Sequence, residues 1–122
     1  MRAALGIDTS NYTTSAALVT EDAVVHSKRL LTVKQGEKGL RQSDAVFQHV
    51  RQLDQVLKPL FEGEPQITVI GVSDRPRSEA ESYMPCFLVG EHTARTRSQA
   101  LHVPVEPFSH QQGHIAAALY SA

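Results

Sequence analysis

The sequence predicts an α/β protein: a five-stranded mixed sheet, built as a three-strand meander followed by two crossover units, with helices packed on it. Three observations carry this. Short apolar runs at residues 3–7, 15–19 and 23–31 follow one another with only turn formers between them. A stripe of apolar residues at three- and four-residue spacing then occupies 43–61. Beyond it, apolar strand-like runs at 67–72 and 103–105 enclose a helix-like segment at 86–101.

The first two runs are joined by the polar connector at 9–14 and read as a hairpin, because runs of this length bounded by turn residues are strands. Val24, Val25, Leu30 and Leu31 supply the apolar positions of the third strand. The glycine- and charge-rich stretch 34–39 is the next break. From Ser43, read as an N-cap, the residues Val46, Val50, Leu53, Leu57 and Leu60 make the clearest helix, flanked by Phe47 and Phe61 and ended by Gly63 and Pro65. His49 lies beside that stripe and reads as a partly buried, hydrogen-bonded histidine. The β-branched run at 67–72 has the pattern of a strand buried on both faces. A polar loop at 73–85 follows at its carboxyl end, where ligands collect in open α/β sheets. Arg75 and Arg77 in that loop can bind phosphate, although paired arginines in loops are commonly just solvated. The 86–101 helix has weaker periodicity, with Phe87, Leu88, Ala94 and Leu101 on its apolar side.

With 122 residues, 41% of them hydrophobic, the chain can bury one modest core, which suits one domain or half of a larger one. Twelve basic against thirteen acidic residues leave a net charge of −1, so global electrostatics announce no nucleic-acid partner. Cys86 is the single cysteine, which excludes an internal disulfide and suits a reducing compartment. The apolar start stops at Asp8, too short for a signal segment, and no stretch is long enough to span a bilayer. The expectation is a soluble cytoplasmic protein with no membrane partner.

Two stretches have chemical content. At the end of the chain, Ser109 reads as the N-cap of a helix whose first turn carries His110 and His114, four residues apart and therefore on one face. The positive end of the helix dipole disfavours protonation there, leaving neutral rings able to bind a divalent metal. The site is half-built, since Zn²⁺ or Fe²⁺ wants a third ligand and only Tyr120, Ser121 and Ala122 follow Leu119. The alternative is that two of six histidines fall at helical spacing by accident. Near the start, Asp8 ends a central strand, where an acid can hold a Mg²⁺ water or orient a nucleophile. Thr9, Ser10, Asn11, Thr13 and Thr14 follow, and the hydroxyls and amides of such a turn can donate to phosphate, which suits ATP or an adenylate with Mg²⁺. The same residue types are ordinary hairpin formers.

Taken in order, Gly6-Ile-Asp-Thr-Ser10 with Thr14-Ser15, the helix bearing His49 followed by Leu53 and Val56, Leu88-Val-Gly90, and the strand leading into His110-x-x-x-His114 resemble one family. It is that of the tRNA threonylcarbamoyladenosine synthase subunit, long described as O-sialoglycoprotein endopeptidase or glycoprotease. The resemblance spans residues 5–119. It implies an actin-like, ribonuclease-H-type fold of two lobes, of which residues 1–122 would be the N-terminal one, truncated before the second lobe. It also implies that His110 and His114 hold Fe or Zn, that the third ligand is an Asp of the missing C-terminal lobe, and that Asp8 lies near a nucleotide or adenylate. The metal would engage a threonylcarbamoyl-adenylate whose acyl group passes to a tRNA adenosine.

Departures from the family pattern mark a divergent paralogue. The hairpin has Asp8, Asn11, Tyr12 and Thr13 where the family carries Glu-Thr-Ser-Cys-Asp-Glu, Arg75-Pro76-Arg77 replaces a glycine-proline-glycine loop, and Gln112 stands where Glu is common. No glutamate follows the first histidine, so the older metallopeptidase label lacks its base. The rival is a non-catalytic scaffold, forming a homodimer or pairing with a paralogue through the lobe's helices. The lobe alone would be catalytically inert under either reading.

Overall fold

A computed structural model describes residues 1–10, 12–33, 41–75 and 85–109. The order is β1 (Arg2–Thr9), β2 (Thr13–Val19), β3 (Val24–Leu30), α1 (Gln42–Phe61), β4 (Gln66–Arg75), α2 (Phe87–Leu101) and β5 (Val105–Ser109). The strands form one five-stranded sheet in the order β3-β2-β1-β4-β5. The β1–β2 and β2–β3 pairs are antiparallel, and β1–β4 and β4–β5 parallel, as the meander and crossovers require. Among the described residues no helix is long and apolar enough to cross a membrane.

Alternation decides which face is core. Ala3, Leu5 and Ile7 of β1, Ala16 and Leu18 of β2, and Ile67, Ile70 and Val72 of β4 are buried with Leu53, Val56, Leu57 and Leu60 of α1 and Ala94 of α2. Helix α1 lies over β2 and β3, and α2 over β4 and β1. The opposite face of β1, with Ala4, Gly6 and Asp8, is half-buried. On β4, Val69 and Gly71 are likewise half-buried, so the apolar run is fully buried on its helix face only. A register shift opposite Ala3 and Ala4 leaves Thr68 as the extra residue, its hydroxyl donating to the Ala3 carbonyl.

Boundaries differ from expectation where pairing or polar contacts override composition. Helix α1 begins at Gln42, so Ser43 lies inside its first turn and is not the cap. Gln42 instead accepts the Cys86 backbone N–H at 3.2 Å, tying the start of α1 to that of α2. The buried stripe of α1 is Ala45, His49, Leu53, Val56, Leu57 and Leu60, while Val50 and Phe47 are exposed. Gln48 clasps the Thr32 backbone through both ends of its amide, holding the exit from β3 against α1. In α2 the inward face is Phe87, Gly90 and Ala94, and Leu88 and Leu101 point outward.

The helix α2 ends at His102, which adopts the left-handed conformation (φ 56°) and donates to the Ser98 carbonyl. Val103 also donates to Ser98, which delays β5 by two residues relative to the 103–105 expectation. Ser73, Asp74 and Arg75, expected in a loop, continue β4 because β5 pairs with them out to Ser109.

Candidate functional site

The carboxyl end of β1 is where the fold gathers polar chemistry. Asp8 sits on the sheet face opposite the helices, half-buried, beside Ser15 of β2, whose hydroxyl donates to the Asp8 carbonyl at 3.4 Å. On the other side, one step past the Ile7–Val72 pair, Ser73 is fully buried and its Oγ has no hydrogen-bond partner among the described residues. β4 and β5 run parallel to β1, so β5 reaches Ser109 at the same edge of the sheet. That edge lies at the carboxyl ends of three parallel strands, the usual place for a ligand in such sheets.

Thr9 and Thr14, expected from the sequence as cofactor contacts, are turned into the core. Both are 0% exposed, because alternation from Ile7 turns Thr9 inward and Thr14 is its partner on β2. Thr9 Oγ1 donates to the Cys86 carbonyl at 2.9 Å and accepts the Gly90 N–H at 3.0 Å, clamping the first turn of α2 to β1. Gly90 allows that approach: a Cβ there would lie 3.0 Å from Thr9 Oγ1 and 3.2 Å from Ile7 Cγ2. The neighbouring Cys86 thiol is buried and its pKa is pushed up to about 11, mainly by desolvation, so it stays protonated and unreactive.

Thr14 Oγ1 meets His49 Nδ1 at 2.7 Å and accepts from Gln52 Nε2 at 2.9 Å. The other imidazole nitrogen, Nε2, donates to the Ser10 carbonyl at 2.6 Å. His49 is therefore satisfied, as the sequence suggested, but it is fully rather than partly buried and lies in the middle of the stripe rather than beside it. Burial lowers its pKa below the ordinary histidine value; the Ser10 bond and the Asp8 charge act in the opposite direction without cancelling the effect.

Ser10 and Thr13 frame the turn, with the Ser10 hydroxyl donating to the Thr13 carbonyl at 3.3 Å and both residues half-buried. Tyr12 is exposed, and its carbonyl accepts from Leu31. Of the remaining candidates, Asn11, Arg77, His110 and His114 lie outside the described residues. Arg75 is engaged by Asp74 at 2.5 Å. Among the described residues, no group of three His, Cys, Asp or Glu could hold a metal ion. Sequence reasoning missed Ser73 as a buried polar residue at this edge, since a serine following an apolar run looks like the start of a loop.

Away from this edge, a groove of about 470 Å³ lies between α1 and α2, lined by Val50, Leu53, Leu57, Leu88, Val89 and Arg97 among others. Two of its apolar lining residues are exposed, Val50 at 63% and Leu88 at 38%, and Phe47 of α1 is 59% exposed.

No protein-family model matches the chain, and no curated protein matches it. Solved structures do. YeaZ from Pseudomonas aeruginosa superposes with a TM-score of 0.62 at 18% identity, over 89% of this chain and 43% of that one. A second Pseudomonas aeruginosa protein, described by its similarity to peptidase YeaZ, gives 0.63 at 18% over 89% and 44%. RuvC of Thermus thermophilus, solved with a Holliday junction substrate, gives 0.50 at 14% over 92% and 67%. The chain has the actin-like, ribonuclease H-like fold. It spans 43–44% of the length of the two YeaZ-type proteins.

Proposed function

We propose that the chain is the N-terminal lobe of a divergent glycoprotease-family protein, with a nucleotide or adenylate held at the Asp8 edge. The likeness to YeaZ, a relative of that family, over 89% of the chain supports the lineage. The reading is carried by one observation: β1 and β5 end at the same sheet edge, so Asp8 and the entry to the His110/His114 segment share it. The buried Ser73 hydroxyl at that edge, without a hydrogen-bond partner among the described residues, is a polar group of the kind a ligand satisfies.

In this reading Asp8 orients the ligand through Mg²⁺ or its water, with Ser10, Thr13 and Asn11 around its phosphate. Thr9 and Thr14 serve the turn rather than the ligand. His110 and His114 hold Fe or Zn with a third ligand from a second lobe. That metal would supply Lewis-acid polarisation of the acyl-phosphate group. The reaction is threonylcarbamoyl transfer: a tRNA adenosine amine bonds to the carbamoyl carbon, the bond from that carbon to the adenylate oxygen breaks, and the amine releases a proton. Peptide hydrolysis ranks below it, because Gln111 occupies the position of the metallopeptidase base.

A second reading is favoured by the exposed Phe47, Val50 and Leu88: a scaffold that pairs with a second copy or a paralogue through α1 and α2. Elemental analysis of the protein purified from its own source separates the two. The catalytic reading expects about one equivalent of Fe or Zn, the stoichiometry of a single site, absent from a His110→Ala/His114→Ala variant made in the same background. A protein that holds no metal even after reconstitution leaves the scaffold.

A further inference from the structure

We propose that His49 is the positioning residue of the Asp8 turn, fixing the Ser10 carbonyl, and with it the hairpin that would receive the phosphate, through a directed chain of hydrogen bonds. The inference rests on the nucleotide reading above and adds the group that shapes its site.

The direction of every bond in the chain follows from donor and acceptor chemistry. Gln52 Nε2 donates to the Arg29 carbonyl at 3.3 Å as well as to Thr14, which identifies that atom as the amide nitrogen. Thr14 Oγ1 accepts from it, so the hydroxyl proton is left for His49 Nδ1, 2.7 Å away. Nδ1 is then an acceptor, and the ring proton sits on Nε2. The Ser10 carbonyl can only accept, and it takes that proton at 2.6 Å. Both ring nitrogens are thus committed to one neutral tautomer, set from one side by Gln52 and Thr14 and used on the other by Ser10.

The placement explains why a histidine interrupts the apolar stripe of α1. A Leu or Phe at this position would fill the volume but take away the donor to the half-buried Ser10 carbonyl and the acceptor of the Thr14 hydroxyl proton, leaving Thr14 only its bond from Gln52; a buried polar group that loses its partner costs about 1–3 kcal/mol in general. His49 is 0% exposed, so it does not touch a ligand itself. It acts through Ser10, two residues after Asp8, and through the Ser10–Thr13 contact that closes the turn. Helix α1 therefore sets the geometry of a loop that lies 39 residues earlier in the chain.

The test uses the full chain, Mg²⁺ with a fluorescent ADP as probe, and the variants Thr14→Val, His49→Phe and His49→Gln. Long-range ¹H–¹⁵N spectra read the tautomer, and affinities are measured where each variant is fully folded by circular dichroism. Wild type is expected to show the Nε2–H tautomer. Thr14→Val, which removes a hydroxyl at nearly constant shape, is expected to mix the tautomers. It and His49→Phe should each weaken the probe by about tenfold, and His49→Gln, which keeps a donor toward Ser10, should return to within about threefold of wild type. Wild-type binding with a folded Thr14→Val of equal affinity, or an Nδ1–H tautomer in wild type, overturns the positioning role alone. No probe binding by wild type overturns the nucleotide reading and this inference with it. Should His49→Phe not fold, Thr14→Val decides.

Discussion

The two helices lie side by side on one face of the sheet and are held there by different means. Helix α1 is fixed by what its side chains add: Leu53, Val56, Leu57 and Leu60 fill the core, His49 reaches the hairpin, and Gln48 clasps the end of β3. Helix α2 buries Phe87 but also depends on what its first turn lacks at Gly90. Gly90 lets the backbone come close enough for Thr9 to bond the Cys86 carbonyl and the Gly90 N–H together. Side-chain volume organises the α1 interface, whereas the α2 interface also needs a missing side chain at Gly90, so the same substitution should have different effects on the two sides. Both devices converge on the hairpin after Asp8, from β1 and from α1.

The largest expected effect is at Leu57, which is 1% exposed: Leu57→Ala should lower stability by about 2–5 kcal/mol, the range for emptying a core leucine position. Urea unfolding measures this, and a loss below about 1 kcal/mol would mean that side-chain filling does not hold α1. Next comes Gly90→Ala, whose methyl would meet Thr9 and Ile7 and should cost about 1–3 kcal/mol as overpacking. Gly63→Ala, with nothing within 4 Å of the added methyl, should stay within about 0.5 kcal/mol. Equal effects at the two glycines would remove the contrast between the helices.

The smallest and most specific effect is in pH. His49 has a lowered pKa in the folded state, so the unfolded chain binds its proton more readily. Its contribution is complete above the ordinary histidine value of about 6.5 and is lost as pH falls from there through the lowered folded value. Wild-type urea midpoints measured from neutral to mildly acid pH should therefore fall more steeply than those of His49→Gln. Parallel slopes would contradict the buried neutral ring.

The five strands and the mixed sheet were legible because each strand carries a local signal: a short apolar run bounded by turn residues. What escaped was set by partners distant in sequence. Ser73, Asp74 and Arg75 look like a loop, yet β5 pairs with that end of β4. The stripe of α1 fits two helical phases, and the frame through Val46 and Val50 leaves out His49, a polar residue that becomes a core residue only once Thr14 and Ser10, 35 and 39 residues away, are known. Nothing in the weak pattern of α2 announces that Gly90 marks its closest approach. In the site, Asp8 was legible at a strand end, whereas the burial of Thr9 and Thr14 could not be read from composition. The alternation from Leu5 and Ile7 was available and puts Thr9 among the core positions, leaving Asp8 on the opposite face.

A titration of Mg²⁺·ATP into the ¹⁵N-labelled chain, followed residue by residue beside Asp8→Asn, tests the nucleotide reading of this edge most directly. Saturable shifts at Asp8, Ser10, Thr13 and Ser73, greatly weakened in a folded Asp8→Asn, are the predicted result. No saturable shift at the hairpin, or an unchanged response in Asp8→Asn, would contradict it.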